Sequence, residues 1–284
     1  MYYIREIDKP NMLLEKLNIV RLKNDEIILP IKTENNNEKT MNNLEKLAYK
    51  TNKILAKTNS KKLVLSKNIK KQKQYVNYLY AYDYDIVDGV WLFKILLPDV
   101  LEHIIKKKNL NKSNIQISIL TNNISELEII NIKNIVKNYK KVNIVTFHIE
   151  KLKKLEQEIL REDGIVMNMG NNKKKGLSKT KIILNLDFPQ EVLNKYNIND
   201  EAIIVNFEGG INIEKKRFNG ININDYEIKV LNSNEIDFSK TTKFALKDIY
   251  EAEQYKTQPI KQVIEKIRND DVQIDKLIAR KTII

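Results

Sequence analysis

The stretch Ile115-Gln116-Ile117-Ser118-Ile119-Leu120-Thr121-Asn122-Asn123-Ile124-Ser125-Glu126-Leu127-Glu128 decides the fold class. Its first six residues are an apolar run short enough for a buried strand. Ser125 and Glu128 then have the spacing of a capping box, in which two free N–H groups at a helix start are satisfied by side chains. Apolar residues recur at helical spacing from Ile124 to Tyr139. The alternation continues with a strand at 142–146, a helix at 149–161, a strand at 164–167, a basic loop, a strand at 181–186, a short helix at 190–196 and a strand at 202–207. Strands separated by helices of this length require right-handed crossovers, so the spacing predicts a mainly parallel sheet.

Toward the N-terminus the pieces are smaller. The apolar runs Asn18–Leu22 and Glu26–Ile31 flank Lys23-Asn24-Asp25, a hairpin signal. A polar, Asn-rich loop is expected at 33–39 and an amphipathic helix over about 40–57. Leu63-Val64-Leu65 reads as a strand, followed by a helix striped by Ile69, Val76, Leu79 and Tyr80. Ile86-Val87 is a further strand ending at Asp88-Gly89. Pro98 separates two helices and suits the first turn of the second, where its missing N–H costs nothing. The segment 106–113 is either a boundary or a helix end with a surface loop. Beyond 207, Asn219-Gly220 suits a hairpin or loop, and two helices are expected at 244–255 and 259–268.

The chain has 284 residues, 50 Lys+Arg and 37 Asp+Glu, for a net charge of +13, and 42% of its residues are hydrophobic. That length and apolar share suit two α/β units. The absence of Cys excludes disulfide frameworks, thiolate metal sites and cysteine nucleophiles, and is compatible with a reducing compartment. Roughly one residue in eight is Asn, and Lys and Ile are similarly abundant, against ordinary usage. AT-rich coding produces that excess on solvated faces, so the charge is read first as composition; a basic surface also raises affinity for polyanions. No apolar run is long enough to span a membrane, and Met1 to Asp8 has no secretory-signal pattern. The expected setting is the cytoplasm, with no membrane partner.

The run from about 114 to 207, preceded by a smaller α/β unit, resembles the Rossmann-type two-domain group of shikimate dehydrogenases, glutamyl-tRNA reductases and amino-acid dehydrogenases. The resemblance implies a nicotinamide cofactor across the carboxyl ends of the strands. The residues depart from it. Where the group has G-x-G-x-x-G, this chain has Leu120-Thr121-Asn122-Asn123-Ile124-Ser125-Glu126 with no glycine, so side chains crowd the approach to a diphosphate. Thr146-Phe147-His148 supplies neither an acid for a ribose hydroxyl nor an Arg for a 2′-phosphate. Asn185-Leu186-Asp187-Phe188-Pro189 is similar to the Asn-Ala-Thr/Ser-Pro turn of some of these enzymes, but its acid would repel a phosphate. No cofactor is expected.

The fold expected is therefore α/β: a Rossmann-like, mainly parallel sheet over 111–240, a smaller α/β domain over 1–110, and C-terminal helices over 241–284 packing back on the domains. A parallel sheet collects Asn122, Asn123, Thr146, His148, Asn168, Asn171, Asn185, Asp187, Asn206 and Glu208 at one edge, where open α/β sheets place ligands. Amides and carboxylates there suit a small polar ligand, although loops after strands are polar in any case. Asp88, beside Trp91, is a further candidate; the simpler reading is a tight turn at Gly89 with Trp91 as a core anchor. Lys173, Lys174 and Lys175, bracketed by Gly170 and Gly176, are candidate anion contacts, but the spacing is not that of a P-loop and a solvated basic turn is the simpler reading. Tyrosines 75–84 near Lys67–Lys73 permit base stacking, yet at helical spacing they point several ways. His103 and His148 lack metal-ligand spacing, and neither Ser60 nor Ser66 sits in a nucleophile elbow, so no metal and no catalytic residue is assigned. The expectation is a protein that binds a small polar ligand or a protein partner rather than an enzyme. The alternatives are nucleic-acid binding through the basic surface and an NAD(P)-dependent oxidoreductase with an atypical cofactor turn.

Overall fold

The computed structural model describes residues 1–8, 12–31, 38–58, 60–233, 236–254, 259–280 and 282–284. The expected polar loop over 33–39 lies outside these residues as far as 37, as does the last residue of the expected helix 244–255. In chain order the first elements are β1 (Tyr2–Glu6), α1 (Met12–Leu17), β2 (Arg21–Lys23), β3 (Glu26–Leu29), α2 (Glu38–Leu55), β4 (Lys62–Leu65), α3 (Lys67–Lys70), α4 (Lys73–Ala81) and β5 (Asp85–Val87). Next come α5 (Val90–Ile95), α6 (Leu97–Lys107), β6 (Gln116–Leu120), α7 (Glu126–Asn138), β7 (Lys141–Val145), α8 (Ile149–Asp163) and β8 (Asn168–Gly170). The last are β9 (Ile182–Asn185), α9 (Gln190–Leu193), β10 (Ile203–Asn206), β11 (Ile221–Val230), α10 (Leu246–Gln254), α11 (Ile260–Asn269) and β12 (Val272–Ala279).

Two compact units result: residues 1–89 with 233–257, and residues 90–232 with 258–284. The boundary expected at 110 thus falls at 89. Leu97, Val100, Leu101 and Ile104 bury the apolar face of α6, which packs on α7 and β12 of the second unit. Nor is 241–284 one module: α10 packs on β4 and β5, whereas α11 and β12 belong to the second unit.

The first unit holds a five-stranded sheet in the order β2-β3-β1-β4-β5, parallel except for the β2–β3 hairpin. Asn24 closes that hairpin with a positive φ of 54°, as expected for an Asn/Asp turn. Ile4, Leu63, Leu65, Leu47, Tyr75 and Leu79 share its core.

The second unit holds a seven-stranded sheet in the order β12-β11-β10-β9-β6-β7-β8, parallel except for the β11–β12 pair. The capping box at Ser125 and Glu128 is present. Pro98 sits in the first turn of α6, as its lack of an N–H favours. Phe93 stacks on Tyr226 with centroids 4.1 Å apart and tilts against Phe207 at 4.5 Å, which anchors α5 under β10 and β11.

Four local expectations change, the first being the single helix expected across Ile69 to Tyr80, which is divided into α3 and α4 at Lys71-Gln72. The strand expected at 164–167 begins at Asn168, because Gly164 ends α8 in the left-handed conformation, φ 67°. Asn219-Gly220 closes no hairpin; it leads into β11, which runs parallel to β10. Trp91 is half-buried, and its neighbours Leu92 and Phe93 fill the core instead. No helix among the described residues is long and apolar enough to cross a membrane.

Candidate functional site

In the second sheet β7 and β8 lie on one side of β6 and β9 and β10 on the other, so strand order reverses between β6 and β9. Connections leave the carboxyl ends in opposite directions there, which opens the crevice where such sheets hold ligands. In this chain the crevice is bridged from within. The Asp187 carboxylate, just past β9, accepts the backbone N–H of Asn122 at 2.8 and 2.9 Å and that of Asn123 at 2.6 Å. The Thr121 hydroxyl donates to the same carboxylate at 3.3 Å and to the Asn123 carbonyl at 2.7 Å. Backbone N–H groups at this turn are what a cofactor diphosphate would require. An acidic side chain of the chain itself takes two of them.

Asn122 also fastens the neighbouring loop: its Oδ1 accepts from the Phe147 N–H at 2.9 Å and from the Thr146 hydroxyl at 3.5 Å. Thr146 is fully buried and accepts from the His148 N–H at 3.0 Å. Asn122, Asn123, Thr146 and Asp187 are therefore brought together, as the parallel order predicts.

Asn185 and Asn206 lie beside them in a buried amide chain. Asn185 Nδ2 donates to Asn206 Oδ1 and to the Phe188 carbonyl, both at 3.0 Å. Asn206 Nδ2 reaches Asn222 Oδ1 at 2.8 Å, and Asn224 Oδ1 and the Ile223 carbonyl at 3.1 Å. Asn222 and Asn224 donate onward to the Ile211 carbonyl at 2.8 and 2.9 Å. Buried amides with all these partners hold β9, β10 and β11 in register. Above this chain is a cavity of about 210 Å³ lined by Asn185–Pro189, Glu208, Gly209 and Ile211. Glu208 is exposed and pairs with Lys94 at 2.9 Å.

The other candidates are elsewhere. Asn168 is exposed on β8, and Asn171 accepts from the Tyr196 hydroxyl. Asn172 Oδ1 accepts the N–H groups of Lys174 and Lys175 at 3.0 Å, fixing the turn that presents Lys173, Lys174 and Lys175 to solvent. Asp88 belongs to the first unit and is exposed, next to Gly89 with φ 83°. His103 Nε2 lies 3.3 Å from the Ile284 carbonyl, and His148 precedes the first turn of α8. No cluster of His, Asp or Glu among the described residues suits a metal.

Sequence reasoning missed the counterpart in the first sheet, where order reverses between β1 and β4. The buried Glu6 carboxylate accepts from Ser66 Oγ at 2.6 Å and Asn68 Nδ2 at 2.8 Å, again bridging the crevice. Burial raises its pKa, but the bonds from Ser66, its own backbone and Asn68, with Lys243 nearby, outweigh this and hold the carboxyl below its usual range. Also missed was Asp248, fully buried on α10, with Lys70 Nζ at 2.6 Å and its second oxygen unpartnered. Burial pushes that carboxyl up against the pull of Lys70. The signal for Glu6 was an acid ending an apolar strand; Asp248 gives none.

No family model matches the chain, and no curated protein matches it in sequence. Among solved structures, L-tryptophan dehydrogenase from Nostoc punctiforme is similar at TM-score 0.37 and 8% identity, over 86% of this chain and 68% of that one. Ornithine carbamoyltransferase from Pyrococcus furiosus is similar at TM-score 0.24 and 13% identity, over 57% of this chain and 50% of that one. At these scores no chemistry of either protein carries over. What stands is the fold that the strand order itself shows: a mixed α/β chain with two mostly parallel sheets.

Proposed function

We propose that the second unit is a Rossmann-like domain in which the chain's own carboxylate has replaced a cofactor phosphate. In this reading the protein uses no nicotinamide and transfers no hydride. It binds a small polar ligand at the carboxyl edge of the seven-stranded sheet, where the cavity beside Asp187 and Glu208 offers carboxylate acceptors. A protein partner on the same edge is the alternative occupant. The observation that carries the reading is the engagement of the Asn122 and Asn123 N–H groups by Asp187. A diphosphate would have to displace that carboxylate and then lie against two Asn side chains. A cysteine-free chain is compatible with the reducing cytoplasm proposed as its setting.

Thermal-shift measurements on the full chain with NAD, NADP and a panel of polar metabolites test it. The expected result is stabilisation by a polar metabolite and none by either dinucleotide; dinucleotide binding in the micromolar range would contradict it.

A second reading, nucleic-acid binding, is favoured by one observation: Lys173, Lys174 and Lys175 are exposed side by side, with no carboxylate partner among the described residues. It predicts retention on immobilised RNA or DNA at about 50 mM salt, reduced when all three become Gln. Absence of retention at that salt removes it.

A further inference from the structure

Along the segment that leads from β10 to β11, two cavities of about 210 and 400 Å³ share Asn212, Asn222, Ala279 and Arg280. Arg280 follows the last residue of β12, and its guanidinium donates to Asn212 Oδ1 at 3.3 Å. It has no carboxylate partner among the described residues. The smaller cavity has no acid in its wall, whereas Asp225 lines the larger one.

The polar groups of the smaller cavity are unequal in kind. Asn222 is already committed, accepting from Asn206 and donating to the Ile211 carbonyl. The Asn212 oxygen is taken by Arg280, which leaves its amide N–H groups and the remaining guanidinium N–H groups as unused donors. Thr282 adds a hydroxyl that can donate or accept, so N–H donors outnumber acceptors at the mouth. Its floor is apolar: Ile213, Phe218 and Ile221 line it. Phe218 lies there because residue 220 is glycine; a Cβ at Gly220 would sit 2.7 Å from the ring and 2.1 Å from the Ala202 carbonyl oxygen.

We propose that this cavity is a binding site for a small organic carboxylate with an apolar body, separate from the strand-end site above. The guanidinium fork and the Asn212 amide receive the carboxylate, as planar bidentate recognition requires. The apolar body lies against Phe218 and Ile221, and a volume of about 210 Å³ admits a body of branched-chain size. Arg280 is exposed and outside the core, so its replacement leaves the fold intact.

The probe is 4-methylpentanoate, titrated into the full-length protein while backbone amide resonances are followed, with the neutral 4-methylpentanamide and inorganic phosphate as controls. The expected result is saturable shifts at Ile221 and Ala279 with a dissociation constant on the order of 1 mM. The amide and phosphate should bind about tenfold more weakly, and Arg280→Gln should cost about tenfold. Asn212→Asp, which places a carboxylate against Arg280, should abolish binding in a folded protein. Equal binding of acid and amide, phosphate as tight as the organic acid, undiminished binding by Arg280→Gln, or no shift at about 20 mM would each overturn the proposal.

Discussion

Replacing Asp187 by Ala removes the acceptor that joins the loop after β9 to the loop after β6. Two backbone N–H groups lose their partner, Asn122 with contacts of 2.8 and 2.9 Å and Asn123 with one of 2.6 Å. A hydrogen bond to a charged group contributes about 1.5–3 kcal/mol net. The Asn123 N–H is exposed, so water replaces much of its share, while Asn122 is half-buried and regains less. The sum is a loss of about 2–3 kcal/mol. Asp187→Asn keeps one neutral acceptor and should lose about half as much. Urea denaturation measures both, with a lowered midpoint and an unchanged slope. Hydrogen exchange at Asn122 and Asn123 should accelerate in the Ala variant. A loss below about 0.5 kcal/mol, with unchanged exchange, would mean that Asp187 does not tie the two loops together, because a surface change without a structural role gives that result.

The other outcomes follow from the same contacts. Asn206→Ala strands the Asn185 amide and the Ile223 carbonyl in a buried site and should cost about 3 kcal/mol, read by urea midpoint. Gly220→Ala forces backbone movement at Ala202 and should cost about 2 kcal/mol or more in the same assay. Glu6 and Asp248 should give opposite pH dependences. Because the folded pKa of Glu6 is lowered, its stabilisation is present above the unfolded value of about 4.3 and disappears as pH falls through the folded value. The advantage of wild type over Glu6→Gln should therefore be about 1–2 kcal/mol near pH 7 and shrink in acid. The folded pKa of Asp248 is raised, so the folded state holds that proton longer and wild type should lose ground to Asp248→Asn as pH rises from about 4. Urea midpoints measured from acid to neutral pH check both signs.

The βαβ run was legible because its periodicity changes at each element and because Ser125 and Glu128 announce a helix start. β1 was not, since Tyr3, Ile4 and Glu6 are all buried, and a strand covered on both faces does not alternate. β12 was hidden by a bulge. Glu227 pairs with Lys276 and Ile228 with Ile274, leaving Asp275 extra, so the buried positions run Val272, Ile274, Leu277 and the period of two breaks. The strand-end residues were foreseeable as a group from the parallel order. Their division was not: in a chain so rich in Asn, nothing local separates Asn185 and Asn206, which join strands, from exposed Asn168. Which donors Asp187 takes depends on two loops 65 positions apart meeting at the switch point.

Both sheets show one device, a carboxylate drawn across the crevice where strand order reverses: Glu6 to Ser66 and Asn68, Asp187 to Asn122 and Asn123. For the second sheet, NADPH titrated into the full chain while the backbone amide resonances of Asn122 and Asn123 are followed shows whether Asp187 keeps those donors. Both resonances should stay in place up to about 1 mM dinucleotide, a concentration at which even a weak cofactor site fills. Saturable shifts of both amides at micromolar NADPH would contradict this.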